Sequence, residues 1–242
     1  MSHFLKIFLF LVVFSFVLSC ATTDHDSTKW SAKKLYVEAK KSLDKDDFIQ
    51  AIEYFENLEA KYPFGLYTQQ ARLEISYAHY KHEEYEEAYD AIDYFIKLHP
   101  RHKNISYALY LKGLILFREG RGIMESVFPR DFSNIDSAYL LRTYRVFELV
   151  HTEHKFSIYA KDSLQRMIFL RNKLAQLEYK TAEYYQRRGA IVASINRLKY
   201  LLNIYPKSTW SNLALNMLAI NYQALKMQKM NKISRNLSSE TQ

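Results

Sequence analysis

The sequence predicts an all-α solenoid, a stack of short helix pairs, and three observations carry that prediction. Of 242 residues only five are Gly and four Pro, whereas 20 are Tyr and 15 Phe, so long helices with ring-filled interfaces fit better than strands and tight turns. One phrase recurs at fixed spacing: a small residue, a bulky one four positions later and a proline twelve positions after the small one. It reads Ala51, Phe55, Pro63, then Ala88, Ile92, Pro100, then Ser194, Leu198, Pro206. A degraded copy has Thr143 and Phe147, with Lys155 in place of the proline. The small residue lets two helices approach closely, the bulky one fills the groove and the proline closes the unit, as in the second half of a tetratricopeptide repeat. The expected fold is therefore a tetratricopeptide-repeat solenoid of about five helix pairs, with an inserted loop in repeat three.

The chain opens on His3 and Lys6, followed by an apolar run over residues 7–18 that only Ser15 interrupts, and then Ser19 and Cys20. A membrane span needs about 20 residues; this run has the length of a signal-peptide core. Val17-Leu18-Ser19-Cys20 resembles a bacterial lipobox, in which the signal is cut before a cysteine that then carries lipid. Residues 1–19 are thus expected to be a lipoprotein signal peptide, and Cys20, the sole cysteine, the lipidation site. An ordinary signal peptide with an incidental cysteine is the alternative. Residues 20–29 are short, polar and patternless, as a tether should be. Ala21 follows the cysteine where an Asp favours inner-membrane retention in enteric bacteria, so likeness to that rule points to the outer membrane.

Residues 30–226 read as the repeat domain. The first helix, 30–44, turns Leu35, Ala39 and Leu43 inward. Its partner, 48–62, carries the stripe Phe48, Ala51, Ile52, Phe55, Leu58 and Tyr62, with Asp46 and Asp47 where an N-cap acceptor is needed. Pro63 and Gly65 stop it. Repeat two follows as 69–82, with Ala71, Ile75 and Ala78, and 85–99, with Ala88, Ile92 and Phe95. Glu83, Glu84, Glu86 and Glu87 open that second helix and complement its dipole. Repeat three begins with 105–118, including Ala108, Gly113 and Leu114. The segment EGRGIMESVFPRDFSN (119–134), with two Gly and one Pro, reads as a long inserted loop, a feature more often functional than idle. The helix resumes over 136–151. Residues 157–188 hold no Gly or Pro and predict one long helix, or two with a slight bend. Gly189 ends it, 190–205 is its partner and 210–225 starts a last unit. The tail, 227–242, is basic and then polar, and is expected to fray.

Charge is uneven along the chain. Residues 1–150 carry 19 Lys/Arg against 21 Asp/Glu, giving −2, and residues 151–242 carry 15 against 5, giving +10. A basic C-terminal half suits an acidic partner surface or anionic lipid headgroups, or is simply a solvated face. Nucleic acid is discounted because no nucleic-acid-binding motif accompanies the charge.

No catalytic constellation is present, and the chain reads as a non-enzyme. The pairs His79/His82, His99/His102 and His151/His154 are each three apart, but His99 and His102 straddle Pro100 and none of the pairs has a thiolate or an obvious third ligand, so no metal is expected. Gly120-Arg121-Gly122 lacks the later glycine, lysine and hydroxyl of a phosphate loop. No cofactor is expected beyond covalent lipid on Cys20. What remains is recognition by surface. Stacked helix pairs curve into a groove that holds extended peptides. Tyr62, Phe64 and Tyr67 flank the turn after repeat one, where an aromatic-ended peptide has room to dock; packing of repeat one on repeat two is the other role open to them. Arg187, Arg188 and Arg197 suit docking on acidic residues of a partner, since arginine pairs bidentately with carboxylates; solvated charge is the alternative.

Beyond the repeat itself, the chain resembles the BamD family, the tetratricopeptide lipoproteins of the outer-membrane β-barrel assembly machinery. The resemblance lies in the Cys20 lipobox, in QAIEYFENLEAKYPFGLYTQQ (50–70), in AIDYFIKLHPRHKNISYALYLKGL (91–114) and in LQRMIFLRNKLAQLEYKTAEYYQRRGAIVASINRLKYLLNIYP (164–206). It covers about residues 16–226 and departs where Glu-His-Lys-Phe replaces the turn expected near Lys155, and after Leu225, where the last helix looks shortened. The resemblance implies a lipid-anchored scaffold on the periplasmic face of the outer membrane. Its N-terminal repeats would engage unfolded outer-membrane proteins and its C-terminal repeats the periplasmic domains of the BamA-type barrel subunit, in company with other assembly-machine lipoproteins. A tetratricopeptide lipoprotein of pilus biogenesis or of peptidoglycan and cell division is the rival reading; a hydrolase with accessory repeats is not, because no residues remain for a catalytic domain.

Overall fold

A computed structural model describes residues 29–127 and 137–240 of the chain. Among the described residues all regular structure is helical apart from a short 3-10 element: α1 Ala32–Asp44, α2 Phe48–Lys61, α3 Leu66–Lys81, α4 Tyr85–Leu98, α5 Ile105–Val127, α6 Ser137–Glu153, α7 Ala160–Arg187, α8 Ile191–Ile204 and α9 Ser211–Glu240. Each helix packs on the next, which pairs α1 with α2, α3 with α4, α5 with α6 and α7 with α8. α9 is the first helix of a fifth unit.

Local chemistry sets the helix ends. Ser31 Oγ accepts from Lys34 N at 3.3 Å and Asp47 Oδ1 from Gln50 N at 3.2 Å, so Asp47 rather than Asp46 is the cap of α2. Asp46 instead turns the corner with φ +58°, and Glu83 (φ +67°) and Gly189 (φ +74°) hold the same place, one residue before the caps of α4 and α8. The three described turns within units are therefore one device. The turns between units are another: Tyr62, His99 and Tyr205 leave the helix at φ near −125°, as residues before proline do. Two hydroxyls six residues later then reach back, Thr68 Oγ1 to Tyr62 O and Ser211 Oγ to Tyr205 O.

The core is a chain of small cores, each shared with the first helix of the next unit. Leu35, Ala39, Leu43, Ala51, Phe55 and Leu58 close on Ala71, Ile75 and Ala78 of α3. Ala88, Ile92 and Phe95 close on Ala108, Leu111 and Ile115 of α5, and Ala182, Leu198 and Leu201 on Ala214 and Met217 of α9. The small residues of the recurring phrase sit at the helix crossings. At the third, Gly113 lies so close to Phe147 that a Cβ there would stand 2.6 Å from the ring.

Two expectations are corrected. Residues 119–127 continue α5 to Val127 instead of starting a loop; residues 128–134 of the expected insertion lie outside the described residues. α9 runs on through most of the tail, to Glu240. The last helix is long, whereas the resemblance suggested a shortened one. The expected signal peptide and residues 20–28 of the expected tether, with Cys20, also lie outside the described residues.

Candidate functional site: the inner helix face

First helices of successive units, α1 with α3 and α3 with α5, touch each other more than second helices do, so the stack curves toward the first helices and their outer faces line its inner side. That face is a continuous polar and aromatic ribbon. Glu74 of α3 is its hub: Oε2 lies 3.2 Å from Lys40 Nζ of α1, and Oε1 accepts from Gln70 Nε2 at 3.2 Å and from Tyr36 OH at 3.5 Å. Gln70 Oε1 in turn accepts from Asn104 Nδ2 at 3.2 Å. Tyr67 stands beside Tyr36, ring centroids 5.4 Å apart.

Rings continue the ribbon into α5 and α7. Tyr110 stacks on Tyr159 at 4.9 Å, and Tyr107 meets the same ring at 5.6 Å. Tyr110 OH donates to Asp162 Oδ2 at 2.7 Å, and Arg166 Nε donates to that same oxygen at 2.5 Å while its guanidinium lies over Phe117. Burial, reinforced by the negative charge of Glu74, pushes the Tyr36 phenol up to about 12. Burial and the bond to Asp162 push Tyr110 up to about 12 as well. Burial raises Tyr107 still further. These phenols therefore stay protonated at neutral pH and act as hydrogen-bond donors. The face combines apolar ring surfaces with donors and acceptors spaced along successive helices, which is what an extended chain needs for its side chains and its unpaired backbone.

The residues singled out in the sequence separate in the structure. Tyr62 is half-buried on the first core and its hydroxyl donates to Trp30 O at 3.1 Å, tying the end of α2 to the entry of α1. Phe64, by contrast, is 92% exposed, and Tyr67 is 39% exposed. Phe64 and Tyr67 thus flank the start of α3, while Tyr62 packs. Arg187 and Arg188 are exposed at the end of α7, with Arg188 4.9 Å from the Tyr184 ring. Arg197, on α8, pairs with Glu178 of α7 at 3.3 Å. Glu178 lies nine residues before Arg187, roughly 13 Å along the helix, so Arg197 is set apart from the other two. The histidine pairs have structural partners: His79 and His82 both reach Glu84, at 2.7 and 3.1 Å, and His99 and His102 both pack on Phe95. The ribbon's hub, Glu74 with Gln70 and Asn104, escaped sequence reading because its members are 34 residues apart or hidden among ordinary helix formers.

Comparison with known proteins places this architecture. Residues 28–237 match the YfiO family, described as outer membrane lipoproteins. The chain belongs to this family. Relatives include the outer membrane protein assembly factor BamD of Neisseria meningitidis serogroup B, 35% identical over 213 residues, spanning 86% of this chain and 80% of that one. BamD of Vibrio cholerae is 31% identical over 215 residues and 89% of both chains. BamD of Xylella fastidiosa strain Temecula1 is 35% identical over 204 residues, 82% of this chain and 68% of the relative. These YfiO-family relatives are assembly factors rather than enzymes. Among solved structures, a Podosopora anserina putative kinesin light chain with TPR-like repeats aligns over 86% of this chain and 95% of its own, at a TM-score of 0.37 and 13% identity. The helix-pair architecture stands on the packing above, not on that likeness. No helix among the described residues is long and apolar enough to cross a membrane.

Proposed function

We propose that this chain is an outer-membrane protein assembly factor that works as a non-enzymatic scaffold, held on the periplasmic face of the outer membrane by lipid on Cys20. It binds unfolded outer-membrane proteins at the start of the inner ribbon, and it docks the periplasmic domains of a BamA-type barrel subunit, alongside other assembly-machine lipoproteins, through its C-terminal units. The observation that carries the first half is the exposed Phe64 next to Tyr67 at the head of the polar and aromatic ribbon. A strand precursor has alternate apolar side chains and an unpaired backbone, and this surface offers rings and donors for both. Tyr62 supports that site from below. For the second half, Arg187, Arg188 and Arg197 present cations on the basic part of the chain, with Arg197 already holding Glu178 and so poised to exchange one carboxylate for another.

A photo-crosslinker at Tyr67 tests the client site: it should capture a peptide from the C-terminal strand of an unfolded barrel protein, and capture at an opposite-edge position such as Lys45 instead would remove the assignment. For the docking surface, Arg197→Glu should reduce co-purification with the barrel subunit by at least tenfold. Unchanged recovery would exclude Arg197.

A further inference from the structure

Every turn between units lies at the same edge of the stack, because antiparallel helices alternate and all first helices start there. These turns are residues 62–65, 99–104, 154–159 and 205–210. The four most exposed large apolar side chains of the described residues sit on this edge: Phe156 at 93%, Phe64 at 92%, Ile158 at 84% and Leu66 at 81%, against 66% for the next, Ile49. They form two pairs two units apart. The turn between them carries exposed Arg101 and Lys103, the second pair adjoins Lys155, whose Nζ lies 5.1 Å from the Phe156 ring, and the last turn carries exposed Lys207. No Asp or Glu occurs in any of the four turns. Two turns at the other edge have the opposite character, with Asp46 and Asp47 after α1 and Glu83 and Glu84 after α3 and no large apolar residue in either, whereas the turn after α7 carries Arg188 and the segment after α5 lies outside the described residues.

We propose that this basic, apolar-tipped edge lies on an anionic phospholipid bilayer. Rings and aliphatic chains at turn tips enter the headgroup boundary, and Arg101, Lys103, Lys155 and Lys207 bind the phosphates beside them. Charge complementarity selects this occupant. A second copy apposed by the same edge would bring like charges together, and the two acidic turns of a second copy, with no large apolar residue in either, would leave both apolar pairs uncovered. The entry of α1 at Ala32 is on this edge too, twelve residues after Cys20, so an anchored chain would hold the edge at the membrane while the acidic turns after α1 and α3 point away. The inference rests on the outer-membrane anchoring proposed above. Phe64 is common to this edge and to the client reading, whereas Tyr67, in ring contact with Tyr36, belongs to the client reading alone.

The test uses the whole matured protein labelled with an environment-sensitive nitrobenzoxadiazole at a new cysteine, Ile158→Cys or Leu66→Cys on this edge and Lys45→Cys on the other. Vesicles of phosphatidylethanolamine, with or without 30% phosphatidylglycerol, carry a lipid-borne quencher. The expected result is at least threefold stronger quenching at 158 and 66 than at 45 on phosphatidylglycerol vesicles. That difference should be lost when Arg101, Lys103, Lys155 and Lys207 are all changed to Gln. Protein that floats with the vesicles yet quenches equally at all three positions overturns the edge proposal and keeps the anchor. Protein that floats only with phosphatidylglycerol vesicles, with label 158 quenched, supports the edge and removes the anchor; flotation with neither overturns both. Shielding of label 158 by an unfolded barrel peptide instead of by lipid also overturns the proposal.

Discussion

Ser76 and Ser194 make the same contact in opposite directions. In the second unit the first-helix hydroxyl, Ser76 Oγ, donates to Ala88 O of the second helix at 2.8 Å; in the fourth unit the second-helix hydroxyl, Ser194 Oγ, donates to Ala182 O of the first helix at 2.8 Å. Both pairs are twelve residues apart, and all four residues are fully buried. A helix crossing in this fold thus tolerates one hydroxyl on either side, provided the other side is alanine.

The two serines differ in what depends on them. Ser76 has the single bond, whereas Ser194 Oγ also accepts from Asn221 Nδ2 at 2.8 Å, and Asn221 Oδ1 accepts from Gln186 Nε2 at 2.8 Å. Ser76→Ala removes one donor whose acceptor is a backbone carbonyl, and should lower stability by about 1 kcal/mol. Ser194→Ala strands a buried amide donor and should lower it by about 1–3 kcal/mol. Urea unfolding of both variants checks the order. Adding Asn221→Leu to Ser194→Ala should recover part of the loss, because the buried amide is then gone and the partner that loses its bond, Gln186, is only half-buried and can turn to water.

The legible part of this fold was the part that repeats. Ala51, Ala88 and Ser194 were readable as crossing points because each is followed by a bulky residue at four and a proline at twelve. The chain past Arg118 was misread because Gly120 and Gly122 count as breakers in sequence, yet α5 tolerates both. Past Leu225, α9 continues to Glu240 as the extension of a helix already nucleated by Ala214, Met217 and Asn221. The inner ribbon was not legible at all. Tyr36, Glu74 and Asn104 belong to three units, and only the superhelical stacking brings them together. Nothing in YPFGLY distinguishes Tyr62, which packs, from Phe64, which does not.

Glu83 occupies a corner where L side chains are strained, at φ +67°, and Gly189 shows what the equivalent corner prefers. Glu83→Gly should therefore raise stability by up to about 1 kcal/mol, relief of left-handed strain outweighing the added freedom of the unfolded chain. The adjacent Glu84, which holds His79 and His82, is untouched by this change. A higher urea midpoint with unaltered helix content is the expected result, and a lower midpoint would mean that the Glu83 side chain stabilises the turn.

Asp93 gives the stability a defined response to acid. Burial tends to raise its carboxyl, but the bonds from Lys112 at 2.5 Å and Lys97 at 2.6 Å outweigh it and hold the group below the usual carboxylate range. A carboxyl lowered by folding contributes stability that is present above its unfolded value of about 3.9 and is lost as pH falls through the folded value. Asp93→Asn should therefore weaken the protein at pH 7 and flatten the decline of the unfolding midpoint below about pH 4. The Lys112 end of the pair is the more buried, so Lys112→Met should flatten the decline more than Lys97→Met.

The turn after α2 separates fold from function within three residues. Tyr62 gives its hydroxyl to Trp30 O and its ring to the first core, so Tyr62→Phe should lower stability by about 0.5–1.5 kcal/mol and leave capture of an unfolded barrel peptide unchanged. Phe64 is 92% exposed, so Phe64→Ala should leave the unfolding midpoint within about 0.5 kcal/mol of the parent while reducing peptide capture severalfold. Tyr67 stands between these extremes, in ring contact with Tyr36 yet still open to solvent, and Tyr67→Ala should move both readouts. Paired measurements of urea unfolding and peptide crosslinking on the three variants distinguish a client site from a packing cluster. If capture falls only in proportion to stability across all three, the turn serves packing alone, and client recognition must begin deeper in the groove, at Glu74 and its neighbours.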